Sequence, residues 1–176
     1  MHDIITHQIT LKEITMLQNI GKQTFFETFS DTNTADDMNK YLNDNFSPDQ
    51  LTKELNNPHS AFYFATINNE TVGYLKVNWS KAQTEQHDDE HGKRALEVER
   101  IYVLQQYHGK KIGQILYDKA LEIAQQKNSN YLWLGVWEHN HRAIRFYEKN
   151  GFIAFDKHIF TVGTDEQTDI MMKLKL

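Results

Sequence analysis

Residues 96–127 read "LEVERIYVLQQYHGKKIGQILYDKALEIAQQK", and the period of the apolar pattern changes in the middle. "LEVERIYV" is strand-like up to Val103. From Gly109 to about Lys127, Ile112, Ile115, Leu116, Ala120, Ile123 and Ala124 recur on one face of a helix. The strand therefore enters the helix through a basic, glycine-bearing turn, "LQQYHGKKIG". The first amides of a helix have no intrahelical acceptor and lie at the positive end of its dipole. Such a turn is suited to an anion, and His108, Lys110 and Lys111 add donors and charge. Taken alone, the same turn also reads as a solvated connection with ordinary surface lysines.

Outward from this unit, the chain alternates between the two periods. Ile4 to Ile9 predicts an edge strand. Thr10 with Glu13 forms a capping-box signal for a helix over Leu11 to Phe29. Thr34 caps a second helix, and Ser47-Pro48 with Gln50 opens a third. "AFYFATI" and "TVGYLKVNW", joined by "NNE", predict a β-hairpin. The charged stretch from Ser80 to Arg94 predicts an exposed loop. "YLWLGV" has the length of a buried strand. "NHRAIRFYEKN" is a short helix stopped by Gly151, and "FIAFDKHIF" and "DIMMKLKL" predict two last strands. Repeats and linkers are absent from the sequence. Mixed elements with a central crossover predict one sheet with helices on its faces, in a single domain over 1–176.

The net charge is -5 over 176 residues, so there is no global drive toward nucleic acid or an anionic membrane. No apolar run approaches the ~20 residues that span a bilayer, and the first residues do not read as a secretory signal. Cytoplasmic localisation is the expectation. With no cysteine in the chain, a thiolate metal site and a covalent cysteine intermediate are both excluded. "HDDEH" (His87 to His91) has no metal-ligand spacing and reads as a charged loop tip.

Residues 96–152 resemble the GNAT superfamily of N-acetyltransferases. That family has a Gln/Arg-x-x-Gly-x-Gly/Ala turn between a strand and a long helix. Here the six positions are His108, Gly109, Lys110, Lys111, Ile112 and Gly113, led in by Tyr107. The first and middle positions depart from the pattern. A second family pattern, Asn-x-x-Ala-x-x-x-Tyr-x-x-x-Gly-Phe, is met in register by Asn140, Ala143, Tyr147, Gly151 and Phe152. "ETF", "LTKEL", "VGYLKVN", "LEVERIYV", "WLGVWE" and "EQTD" look most similar to the PaiA-type spermidine/spermine N-acetyltransferases.

The resemblance implies an α/β (α+β) GNAT fold: a single mixed, mostly antiparallel sheet of about six to seven strands, with helices on both faces. It implies acetyl-CoA as cosubstrate and no metal. The turn amides of residues 108–113 would hold the pyrophosphate. Backbone groups of Ile101, Tyr102 and Val103 would bind the pantetheine arm and acetyl oxygen. Asn140, Ala143, Trp137 and Lys149 would lie along the cofactor. Tyr147 would protonate the departing thiolate, although it also reads as a core aromatic beside Phe146.

Direct transfer to an amine needs a group that takes a proton, because only the neutral amine attacks. Glu97 and Glu99, at i and i+2 on one strand, share a side. Either can serve as base; either can instead pair with Arg94 or Arg100 or hold a cationic substrate. A polyamine would favour carboxylates beside apolar surface. Glu27 is the first candidate, followed by Asp31, Asp36, Asp37 and Asp44 in the first helices, among Phe25, Phe26, Phe29 and Tyr41. The resemblance implies acetyl transfer to a primary amine, a polyamine of the spermidine/spermine class, with a protein N-terminus or another small amine as alternatives, and a homodimer stays open. A non-catalytic acyl-CoA-binding module is the rival from another class.

Overall fold

The computed structural model describes residues 4–85 and 94–176. Seven strands form one sheet: β1 (Ile4–Gln8), β2 (Ser60–Ile67), β3 (Glu70–Trp79), β4 (Ala95–Val103), β5 (Tyr131–Trp137), β6 (Ile153–Val162) and β7 (Asp165–Lys175). Their spatial order is β1-β2-β3-β4-β5-β7-β6. Every neighbouring pair is antiparallel except β4 with β5. The parallel pair needs a crossover, and α4 (Ile112–Gln126) supplies it.

The helices sit on both faces. α1 (Ile14–Phe29), α2 (Ala35–Asn45) and α3 (Pro48–Leu55) bury Leu17, Phe25, Phe29, Met38 and Leu51 against Phe62, Phe64 and Tyr74. α4 and α5 (His141–Lys149) bury Leu116, Tyr117, Ala120 and Tyr147 against Ala61, Ala65, Leu75, Leu96 and Val98. The alternation in β2, with Phe62 and Phe64 on one side and Ala61 and Ala65 on the other, follows from the period of two along a strand.

Local signals account for most boundaries. Glu13 accepts the Thr10 amide at 2.9 Å, although residues 11–13 form a short 3₁₀ turn before α1 begins. Asn68 and Asn69 both have positive φ, 50° and 66°, which suits the two-residue turn between β2 and β3. β1 is an edge strand, paired only with β2. β7 begins at Asp165, four residues before the apolar pattern does, because the β6 ladder continues from Val162 opposite Asp165. Of the charged loop, Ser80–Ala82 forms a 3₁₀ turn; "HDDEH" lies outside the described residues.

Candidate active site

β4 and β5 stay paired for only three positions, Ala95 with Tyr131, Leu96 with Leu132 and Glu97 with Trp133. Beyond them β4 keeps to β3 while β5 turns to β7. The strands part, and the edge of β4 toward β5 loses its ladder. On the β3 side the register slips between Lys76 and Val77, which face Arg100 and Val98, so Glu99 is the extra residue of a bulge. A bulge re-aims side chains and backbone, here at the mouth of the gap.

Two cavities meet in this gap. The larger, about 690 Å³, is lined by Ile101, Tyr102 and Val103 of β4, by the turn before α4, and by the start and inner face of α5. Of the expected cofactor residues, His108, Gly109, Lys111, Ile112, Gly113, Asn140, Ala143, Tyr147 and Lys149 all border it. Lys110 does not; its ammonium lies over the Tyr107 ring, 4.5 Å from the centroid. Trp137 borders the second cavity instead.

The turn is held at several points. Glu27 accepts the Gln105 amide at 2.8 Å, and the Tyr107 hydroxyl donates to Glu70 at 2.7 Å. Gly109 and Lys111 have φ of 82° and 63°. The first-turn amides of α4 at Ile112, Gly113 and Gln114 have no intrahelical acceptor, and the space a Cβ would fill at Gly113 is open. Among the described residues no Asp or Glu lines this cavity, whereas Lys111, Arg142 and Lys149 do. A cavity of about 690 Å³ with helix-start amides and cations in its wall fits coenzyme A and its phosphates.

The left-handed conformation at Lys111 is one that an L residue with a Cβ adopts at a cost of about 1 kcal/mol. Lys111→Gly should therefore raise Tm by ~2–4 °C. A charge contact from Lys111 to the cofactor phosphates would show as a loss of CoA affinity in the same variant, larger at low than at moderate salt. Thermal unfolding and calorimetric titration at two ionic strengths check both effects.

The second cavity, about 350 Å³, runs from the gap toward β6 and β7. Ile101, Tyr102, Asn140, Ala143, Tyr147 and Thr28 border both cavities, which places their junction. Glu97 opens onto it although only 3% exposed. Its carboxylate accepts from Asn78 Nδ2 at 3.0 Å, from the Thr84 amide at 2.8 Å and from the Thr84 hydroxyl. Burial, and then the neighbouring charge of Glu99, hold its carboxyl above the ordinary range.

Glu99 is on the same side, since Asn78 Nδ2 also reaches it. Its chemistry differs. Burial alone would raise its pKa, but Arg100 and Lys76 outweigh that and hold it below the usual value. Lys76 Nζ is 2.6 Å from Glu99 and 3.0 Å from Glu54, and Arg100 binds Glu54 through both nitrogens. Glu99 is thus one arm of a buried charge network that binds α3 to the sheet.

Burial pushes the Tyr147 phenol well above its ordinary value, so it stays protonated through neutral pH. Asn140 caps α5 by accepting the Ala143 amide at 3.1 Å. Across the second cavity, His158 Nδ1 lies 2.9 Å from Glu85 and Nε2 3.5 Å from Asp169. Burial raises the Asp169 carboxyl. Phe29, Tyr41, Trp137 and Phe160 supply aromatic wall.

Three sequence expectations are displaced. Glu27, Asp31 and Phe26 line neither cavity. Glu27 is committed to Gln105, Asp31 is exposed, and Phe26 is 53% exposed. Asp36, Asp37 and Asp44 line neither cavity as well, and the carboxylates lining the second cavity are Glu97 and Glu99, with Glu85 and Asp169 added by the fold; of the expected aromatics, Phe25, Phe29 and Tyr41 line it. Sequence reading also missed Arg142 and His158. A basic residue in the first turn of the helix after Asn140 was a signal for the former; nothing local marked the latter.

Residues 17–152 match the Acetyltransferase (GNAT) family. An uncharacterized N-acetyltransferase in the pepI 3′ region of Lactobacillus delbrueckii subsp. lactis is 37% identical over 169 residues, 96% of this chain and 95% of that protein. The fold is similar to that of the PaiA N-acetyltransferase from Thermoplasma acidophilum in complex with coenzyme A. That likeness has a TM-score of 0.79 and 20% identity, over 99% of both chains. Arabidopsis thaliana NAA60 in complex with a bisubstrate analogue aligns with a TM-score of 0.74 and 12% identity over 98% of each chain. The chain belongs to the GNAT family and is an acetyl-CoA-dependent N-acetyltransferase with the GNAT fold.

Proposed function

We propose that the acceptor is a polycationic primary amine of the spermidine and spermine class. The observation that carries this reading is the second cavity. Glu85, Glu97 and Asp169 border it among aromatic side chains. Carboxylates steer and hold ammonium groups, while aromatic faces suit both cations and the methylenes between them. Glu99 contributes little net charge, because Arg100 and Lys76 compensate it.

Bound acetyl-CoA would supply the thioester carbonyl from the larger cavity. The amides of the first turn of α4, with Lys111, would hold its phosphates. Backbone groups of Ile101, Tyr102 and Val103, where β4 has parted from β5, would orient the arm and stabilise charge on the acetyl oxygen. Glu97, its carboxyl raised above the ordinary range by burial, would take the proton from the ammonium group. Tyr147, at the junction of the cavities, would present its O–H to the sulfur as negative charge develops. Glu99 would keep its charge throughout as a structural anchor.

The test compares spermidine with a monoamine of similar length. The expected kcat/KM for spermidine is ~10-fold or more above that of the monoamine. Asp169→Asn should narrow the ratio by raising KM for spermidine alone, given about 1 kcal/mol or more per charge contact. Equal kcat/KM for the two amines, or preference for a peptide N-terminus over both, would refute the polycation reading.

A further inference from the structure

The larger cavity contains an arrangement that the turn motif does not account for. Arg142 lies in the first turn of α5, across the gap from the turn before α4. Its Nη1 contacts His108 Nδ1. On the other side of the same ring, His108 Nε2 is 2.8 Å from the carbonyl oxygen of Val103.

A carbonyl only accepts and a guanidinium only donates, so these contacts suit the tautomer with its hydrogen on Nε2 and its lone pair on Nδ1. The imidazole acts as a bracket between the end of β4 and a guanidinium from α5. The hydrogen bond uses one edge of Arg142. The remaining donors of a planar guanidinium, which carries five N–H bonds, stay available.

Charge makes the purpose of this bracket clear. Arg142 has no carboxylate partner among the described residues, and the same is true of Lys111 and Lys149. The chain as a whole is acidic, with net charge -5. Yet the wall of this cavity carries three such cations and no acid. An arginine that only pinned α5 to the turn could do so more strongly through a carboxylate. Pairing it with an imidazole nitrogen, which carries no negative charge, leaves its own charge uncancelled for a ligand.

We propose that Arg142 is a pyrophosphate ligand of coenzyme A, and that His108 is the positioning residue that holds it at the turn. The phosphate site is then built from two elements. Backbone amides come from α4, and a guanidinium comes from α5 on the far side of the gap. Occupation of the site would tie the two separated edges together.

The test is calorimetric binding of CoA and of dephospho-CoA to the full chain, with no acceptor present. Arg142→Ala should weaken both ligands by the same factor, ~10-fold or more for a lost charge-assisted contact. It should also flatten the salt dependence of binding. Arg142 is exposed, so Tm of the unliganded protein should be unchanged. His108→Gln should weaken binding less, and the double variant should bind no worse than Arg142→Ala alone, because His108 acts through Arg142. Binding of both ligands by Arg142→Ala within twofold of wild type would overturn the proposal. So would a loss confined to CoA, which would move the contact to the 3′-phosphate. Additive losses in the double variant would remove the positioning role of His108.

Discussion

Tyr147→Phe should lower kcat by ~100-fold or more while leaving Tm nearly unchanged. General acid assistance contributes about 10²–10⁴-fold, and the substitution removes only the proton donor. The ring stays packed between Phe146 and Phe152, at centroid separations of 5.3 and 5.5 Å. Burial alone raises the phenol's pKa, with no hydrogen bond contributing to the shift. Loss of the hydroxyl therefore strands no buried partner. KM for acetyl-CoA should change little, because the hydroxyl would act on charge that develops at the sulfur and not on the resting thioester. A Tyr147 that served only to pack the core would give near-normal turnover, with Tm again nearly unchanged because Phe keeps the ring.

Glu97→Gln should lower kcat/KM by ~100-fold or more at neutral pH and remove the acidic limb of the pH profile. In the wild type that limb should lie above the range of an ordinary carboxylate, since burial and the charge of Glu99 both raise the Glu97 pKa. A base works in its deprotonated form, so activity should rise with pH through this value. The sign for stability is opposite. The folded state binds this proton more tightly than the unfolded state, so the stabilisation is complete below the unfolded pKa. It is lost as pH rises through the folded one. Glu97→Gln removes that cost, and stability near neutral pH should not fall through this ionisation. Rate profiles and thermal unfolding, each measured across pH, separate the two effects. Retention of the acidic limb in the variant would give the proton to another group lining the same cavity, among them Glu99, His158 and Asp169.

Legibility in the sequence followed the range of the interactions. Helix starts were local matters, as Thr10 with Glu13 and Ser47 with Gln50 show. So was the turn at Asn68 and Asn69. The wall of the larger cavity was legible because two short patterns each lie on one strand-helix unit. The second cavity was not, because it is assembled from β4, β5, β6 and β7 with helix side chains above them. His158 and Asp169 face one another only through the β6–β7 register, and neither stands in a pattern of its own. Glu27 looked like an acceptor ligand on an acidic helix. The fold lays that helix beside the turn, where an unpaired amide at Gln105 claims the carboxylate. The parting of β4 and β5 depends on β5 pairing with β7, a long-range choice with no local signature.

Thiol release from acetyl-CoA on addition of spermidine tests the central claim most directly, followed with a chromogenic disulfide reagent. The protein has no cysteine and contributes no thiol of its own. The expected result is release that requires both acetyl-CoA and spermidine, saturates with each, and falls ~100-fold or more in Tyr147→Phe. No spermidine-dependent release from a wild-type protein that binds CoA would contradict the assignment of the second cavity to a polycationic amine.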